Sequence, residues 1–155
     1  MNHETASRLL LFAWIALGFA APATGQTTDA HAHVVALLST FDQALNEMDL
    51  DEVMSYYAED IVILAPGEDA IVGWDAVRSW TEVTFRDFVL IEHHRPVETS
   101  ESGDLVIHRG NATGSLTPRA GGDPIPFNNK YVHVYRRGMD GRLRMVMGMF
   151  NANPG

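Results

Sequence analysis

Between Asn129 and Pro154, two alternating runs, NKYVHVYRR and RLRMVMGMFNANP, flank a Gly-Met-Asp-Gly turn. At strand period the first run sets Tyr131, His133 and Tyr135 on one face and Val132 and Val134 on the other. The second sets Val146, Gly148 and Phe150 against Leu143, Met145, Met147 and Met149. Two phenols beside an imidazole can donate hydrogen bonds to a ligand oxygen. The imidazole can also exchange a proton near neutral pH, which makes His133 the candidate acid/base. A catalytic histidine needs an orienting partner, and none is evident; Asp60 and Glu68 read as solvated loop carboxylates.

The other chemistry-bearing residues are less well placed. Of the seven histidines, six lie beyond residue 25. His31 and His33 diverge by about 200° on a helix, unlike the i, i+4 pair of a zinc site. His93 and His94 are strand neighbours pointing to opposite faces, and His108 is expected to face away from His133. No metal site and no cofactor are expected. The absence of cysteine excludes thiol catalysis and thiolate metal centres. Asn111-Ala112-Thr113 matches a glycosylation sequon but falls mid-strand, and the methionine row reads as adaptable interface packing rather than a copper-binding row.

Residues 1–25 read as a cleaved secretory signal. Arg8 ends a short polar start, Leu9 to Ala20 is apolar but short for a bilayer span, and Ala23-Thr24-Gly25 supplies small residues for cleavage. Residues 26–155 would then form one domain, secreted or periplasmic, with no membrane attachment after cleavage. The formal charge is −9, which disfavours nucleic acid as a partner. The 46% apolar content fits a packed domain.

Val34, Leu37, Leu38, Phe41, Leu45 and Met48 recur at helical spacing, predicting a helix from about His31 to Met48. Asp49-Leu50-Asp51 starts a second, short helix through Ala58, with Asp51 and Glu52 near its N-terminus. Ile61 to Leu64 reads as a strand and Trp74 to Asp87 as a third helix. Phe88–Thr99, Leu105–Thr117, Ile125–Arg137 and Arg142–Ala152 read as strands, with Pro96 marking a bulge or an edge. Helices first and strands afterwards predict an α+β fold with an antiparallel sheet.

Several motifs, in this order and spacing, carry a resemblance. They are ALNEMDLDEVMSYYAEDIVILAP at 44–66, Gly73 before the third helix, Ser102-Gly103-Asp104-Leu105, the Asp-Gly-Arg turn and the Phe-Asn-Ala-Asn-Pro ending. Residues 33–154 resemble the nuclear-transport-factor-2-like superfamily, in its SnoaL-like branch, related to ketosteroid isomerases and the calmodulin-dependent kinase association domain. The resemblance implies a cone: a curved antiparallel sheet wrapped around three N-terminal helices, enclosing a pocket. It also implies a homodimer through the convex sheet face, toward which the methionine row would point.

The isomerase residues do not carry over. The helix-one tyrosine falls on Phe41, the aspartate base on Ala65 and the protonated aspartate on His133, so steroid isomerisation by that route is not expected. Carrying the Gly-Asp-Leu alignment forward places Ile107, Arg109 and Asn111 on the concave face. The pocket is then expected to be lined by Phe41, Trp80 and Phe150, with Arg109, Asn111, Tyr131 and Tyr135 at an anion-holding end and His133 as acid/base. The alternative is that Arg109 pairs with an acidic side chain and His133 is merely hydrogen-bonded in the core. The expected function is binding of a small, partly apolar, anionic molecule. The rivals are an isomerase, cyclase or hydratase, and a non-catalytic homodimerisation module.

Overall fold

The computed structural model describes residues 24–154; the predicted signal lies outside these except for its last two positions. Helix α1 (Thr24–Glu47) presents Val34, Leu38, Phe41 and Leu45 as one buried stripe. It ends at Met48, whose positive φ of 54° breaks the helix. Helix α2 (Leu50–Ser55) starts at Asp49, whose carboxylate accepts the Glu52 amide at 3.0 Å. Strands β1 (Tyr57–Leu64) and β2 (Ile71–Val72) form a hairpin, and Gly73 then caps helix α3 (Trp74–Asp87). Four long strands complete the chain: β3 (Phe88–Ser102), β4 (Leu105–Pro118), β5 (Ile125–Arg137) and β6 (Leu143–Ala152).

The strands form one curved, unclosed sheet in the order β2-β1-β6-β5-β4-β3. Four of its five pairings are antiparallel, as expected, whereas β1 runs parallel to β6, which the chain reaches only after β2, α3 and three further strands. The helical stripe packs inside the curve with Val53, Ile61, Val77, Leu90, Val106, Tyr135 and Met145.

Two bulges break the strand alternation. In β3, Val97 has no partner: Pro96 faces Gly110 and Glu98 faces Arg109, so β3 is both bulged and an edge strand, as Pro96 foretold. In β6, Val146 is the extra residue, since Tyr135 faces Met145 and Val134 faces Met147. That second bulge corrects the expected methionine row. Leu143 and Met145 are buried in the core, and only Met147 and Met149 lie on the outer, exposed face.

Helix α1 covers the edge of β3 and bonds to it. Asn46 accepts the Glu92 amide at 2.7 Å and donates to the Glu92 carbonyl at 3.1 Å, acting as a surrogate strand neighbour. One turn earlier, Asp42 accepts the His94 amide at 2.8 Å.

Candidate functional site

The inside of the cone holds a cavity of about 570 Å³. Its walls are mostly apolar: Phe41 and Leu45 from α1, Trp80 and Phe85 from α3, Leu116 from β4, Phe127 from β5 and Phe150 from β6. One polar cluster interrupts them, made of Glu92, His94, Tyr131 and His133. The ring centres of Tyr131 and His133 are 4.4 Å apart, and His94 stands 4.8 Å from Tyr131 and 5.4 Å from His133.

His94 is the oriented histidine of this cluster. Its Nδ1 meets Asp42 Oδ1 at 2.5 Å while its amide is bound to the other oxygen of the same carboxylate. With Nδ1 committed to Asp42, Nε2 is left to exchange protons, and Glu92 Oε1 lies 3.7 Å from it. Burial works against a charge on His94. The hydrogen bond to Asp42 and the charges of Glu92 and Asp42 outweigh it and raise its pKa. Burial raises Glu92 as well; His94 opposes and Asp42 adds to that shift. Two titratable groups, both shifted upward, thus sit side by side in the cavity wall.

His133 is a different kind of histidine. Its Nδ1 lies 3.2 Å from the Tyr135 hydroxyl, and burial, then His94 and His108, hold its pKa well below the usual value. It is a neutral imidazole with no carboxylate partner. Tyr57 and Tyr131 are kept protonated by burial; the Tyr131 hydroxyl lies 2.8 Å from His108 Nε2.

The SnoaL-like domain model matches residues 38–146. The chain belongs to the SnoaL-like family. Solved structures place this SnoaL-like domain in the wider nuclear-transport-factor-2-like fold. A ketosteroid isomerase-like protein from Erwinia carotovora atroseptica superposes with a TM-score of 0.72 at 20% identity, over 85% of this chain and 99% of that one. A nuclear transport factor 2-like superfamily protein from Salmonella enterica serovar Typhimurium gives 0.73 at 9% identity, over 83% and 94%. An NTF2-like protein of unknown function from Pseudomonas putida gives 0.65 at 17% identity, over 83% and 90%. No curated protein matches the sequence.

Within this SnoaL-like domain, Phe41, Trp80, Phe150, Tyr131 and His133 all line the cavity. Tyr135 lies behind His133, with none of its surface exposed. Arg109 and Asn111 do not face the cone. Arg109 is on the outer face, where its guanidinium meets Glu98 at 2.7 Å with both side chains 58% exposed. Asn111, also outward, accepts a hydrogen bond from Asn153 at 3.3 Å.

The inward residues of β4 are instead Val106, His108, Gly110, Ala112 and Gly114. The alternation of β4 holds, but the phase carried forward from the Gly-Asp-Leu alignment is off by one residue. Inward glycines are required by the β3 carbonyl oxygens of Arg95 and Ile91, which come nearest, and by aromatic rings crossing from β5. A Cβ on Gly110 would stand 2.6 Å from the Tyr131 hydroxyl, and one on Gly114 would stand 2.7 Å from Phe127. His108 consequently faces inward beside His133, with 6.2 Å between ring centres, contrary to expectation.

Asp42, Glu92 and His94 were not among the expected site residues. The available signal was Glu92 and His94 two apart on a strand, matched by Asp42 and Asn46 four apart on the flank of the helical stripe. Among the described residues, no group of three or more histidines and acids is arranged to hold a metal ion.

Proposed function

We propose that this SnoaL-like domain takes a small, largely apolar, uncharged molecule into its cone and moves protons on it, in chemistry of the isomerase, cyclase or hydratase kind. The observation that carries this reading is His94: buried, oriented by Asp42 and set in the wall of an apolar cavity. His94 is the acid/base, Glu92 shares its proton, and Tyr57 supplies a hydroxyl donor. The anionic ligand expected from the sequence finds no support. Among the described residues, no lysine or arginine lines the cavity, while Glu68 and Glu92 do.

The test is calorimetric titration with 2-naphthol and 2-naphthoate, one skeleton in neutral and anionic form. The neutral compound is expected to bind at least tenfold tighter; preference for the carboxylate would overturn the reading. In any turnover found, His94→Gln is expected to cost on the order of a hundredfold.

Two further parts of the reading rest on other observations. The outer face aligns Ile107 with Val134 and Met147, and places Val132 beside Met149, an apolar block suited to a second copy of this chain. Export rests on the signal read at residues 1–25. No described helix is long and apolar enough to cross a membrane.

A further inference from the structure

We infer that four side chains, Tyr131, His108, Thr99 and His31, form a proton relay leading from the cavity to the partly exposed His31 on α1. Tyr131 lines the cavity, and its hydroxyl lies 2.8 Å from His108 Nε2. His108 Nδ1 lies 3.4 Å from Thr99 Oγ1, which lies 2.9 Å from His31 Nδ1. Tyr131, His108 and Thr99 are buried, and His31 is partly exposed.

One consistent set of donors runs outward. Tyr131 O–H donates to Nε2 of His108, Nδ1–H of His108 is shared between the Glu98 carbonyl and the Thr99 hydroxyl oxygen, and the Thr99 hydroxyl donates to His31 Nδ1. A proton delivered to the Tyr131 oxygen from the cavity displaces Tyr131's own proton to His108. The His108 Nδ1 proton passes to Thr99, the Thr99 proton to His31 Nδ1, and His31 releases its Nε2 proton to water. One proton leaves the cavity, no covalent bond to carbon changes, and reversal of the same hops, or rotation of the donors, restores the line. Burial disfavours both a tyrosinate at Tyr131 and an imidazolium at His108, so the hops run together rather than through a trapped ion.

Two backbone features serve this line. The unpaired Val97 turns Thr99 inward, directly opposite His108, where uninterrupted alternation would have put Glu98. Gly110 leaves the room that Tyr131 needs to reach His108 across the sheet. Apolar side chains would pin α1 to the sheet without the desolvation cost of burying three polar groups.

The relay deepens the acid–base reading, since its use is to reset His94 while a ligand fills the cavity. Its test needs no ligand, so its failure would leave the cavity reading standing. In ligand-free, histidine-labelled protein, exchange of the His108 ring proton with water is measured by NMR saturation transfer in a Tyr131→Phe background, which closes the cavity end. Adding Thr99→Val is expected to slow this exchange at least tenfold, and Thr99→Ser to retain it. An unchanged rate with valine, or an equal loss with serine, would overturn the relay. Should the valine variant not fold, His31→Gln replaces it. That variant keeps a partner for Thr99 but cannot pass a proton on, and the same tenfold slowing is expected, with an unchanged rate again overturning the proposal.

Discussion

Asp42 grips His94 twice with one carboxylate, once at the main-chain amide and once at the ring. The two contacts fix the strand residue's backbone and its ring orientation together, so one helix side chain both closes a sheet edge and sets a tautomer. Asp42→Ala leaves a buried amide and an imidazole unpartnered and is expected to cost about 2–3 kcal/mol in chemical denaturation. Asp42→Asn keeps an acceptor for the amide but removes the charge; NMR titration should show the His94 pKa falling.

Arg109→Ala tests the corrected placement from the other side. An exposed pair such as Arg109–Glu98 contributes at most about 1 kcal/mol, so stability should change little. Affinity for 2-naphthol should stay unchanged. A tenfold loss would mean that this guanidinium reaches the cavity.

Acid stability should report the two depressed histidines. Burial lowers His108 to about 4 and His133 well below the usual value, so both are neutral when folded and become protonated on unfolding. Their contribution is whole above about pH 6.5 and is lost as pH falls toward 4. The raised His94 acts oppositely: its contribution is present below about pH 6.5 and fades as pH rises through its folded value. His108→Gln should therefore reduce proton uptake on unfolding by about one near pH 5.5, read from unfolding free energy against pH.

Gly110→Ala should be costly for a one-carbon change. The new Cβ would stand 2.4 Å from the Arg95 carbonyl oxygen and 2.6 Å from the Tyr131 hydroxyl. A loss of about 1–3 kcal/mol is expected in thermal or urea unfolding, together with a changed Tyr131 environment by ultraviolet difference spectroscopy.

The outer apolar block should make the domain a dimer at micromolar concentration in sedimentation velocity. Met147→Glu with Met149→Glu should yield monomers with the cavity unaltered. A monomeric wild-type protein would leave that face without a partner.

How far the sequence reached depends on where alternation holds. Helix α3 and strand β5 were legible to their last residues, because their periodicity is unbroken; Gly73 opens the helix, and turns at 121–124 and 138–141 bound the strand. The cone itself was legible through the ordered motifs from Ala44 to Pro154. The methionine row was not, since Val146 shifts the alternation within β6 and sends Met145 inward. Arg109 was misplaced because the phase carried onto β4 from the Gly-Asp-Leu alignment is off by one residue. The Asp42–His94 pair joins residues 52 positions apart, a contact that only the path of α1 across the sheet edge creates. Tyr131 and His133 were correctly read as sharing a face, but His94, the histidine that a carboxylate orients, stands on a strand that the sequence reading left out of the pocket.

Val97 carries no chemistry and is half exposed, yet β3 depends on its presence as a spacer. Upstream of it Glu92 and His94 turn inward; downstream Thr99 does, one place out of step. Replacing its side chain leaves that phasing intact, whereas deleting the residue would swing Thr99 to solvent and bring Glu98 against His108. At this position the strand tolerates a change of identity but not of length.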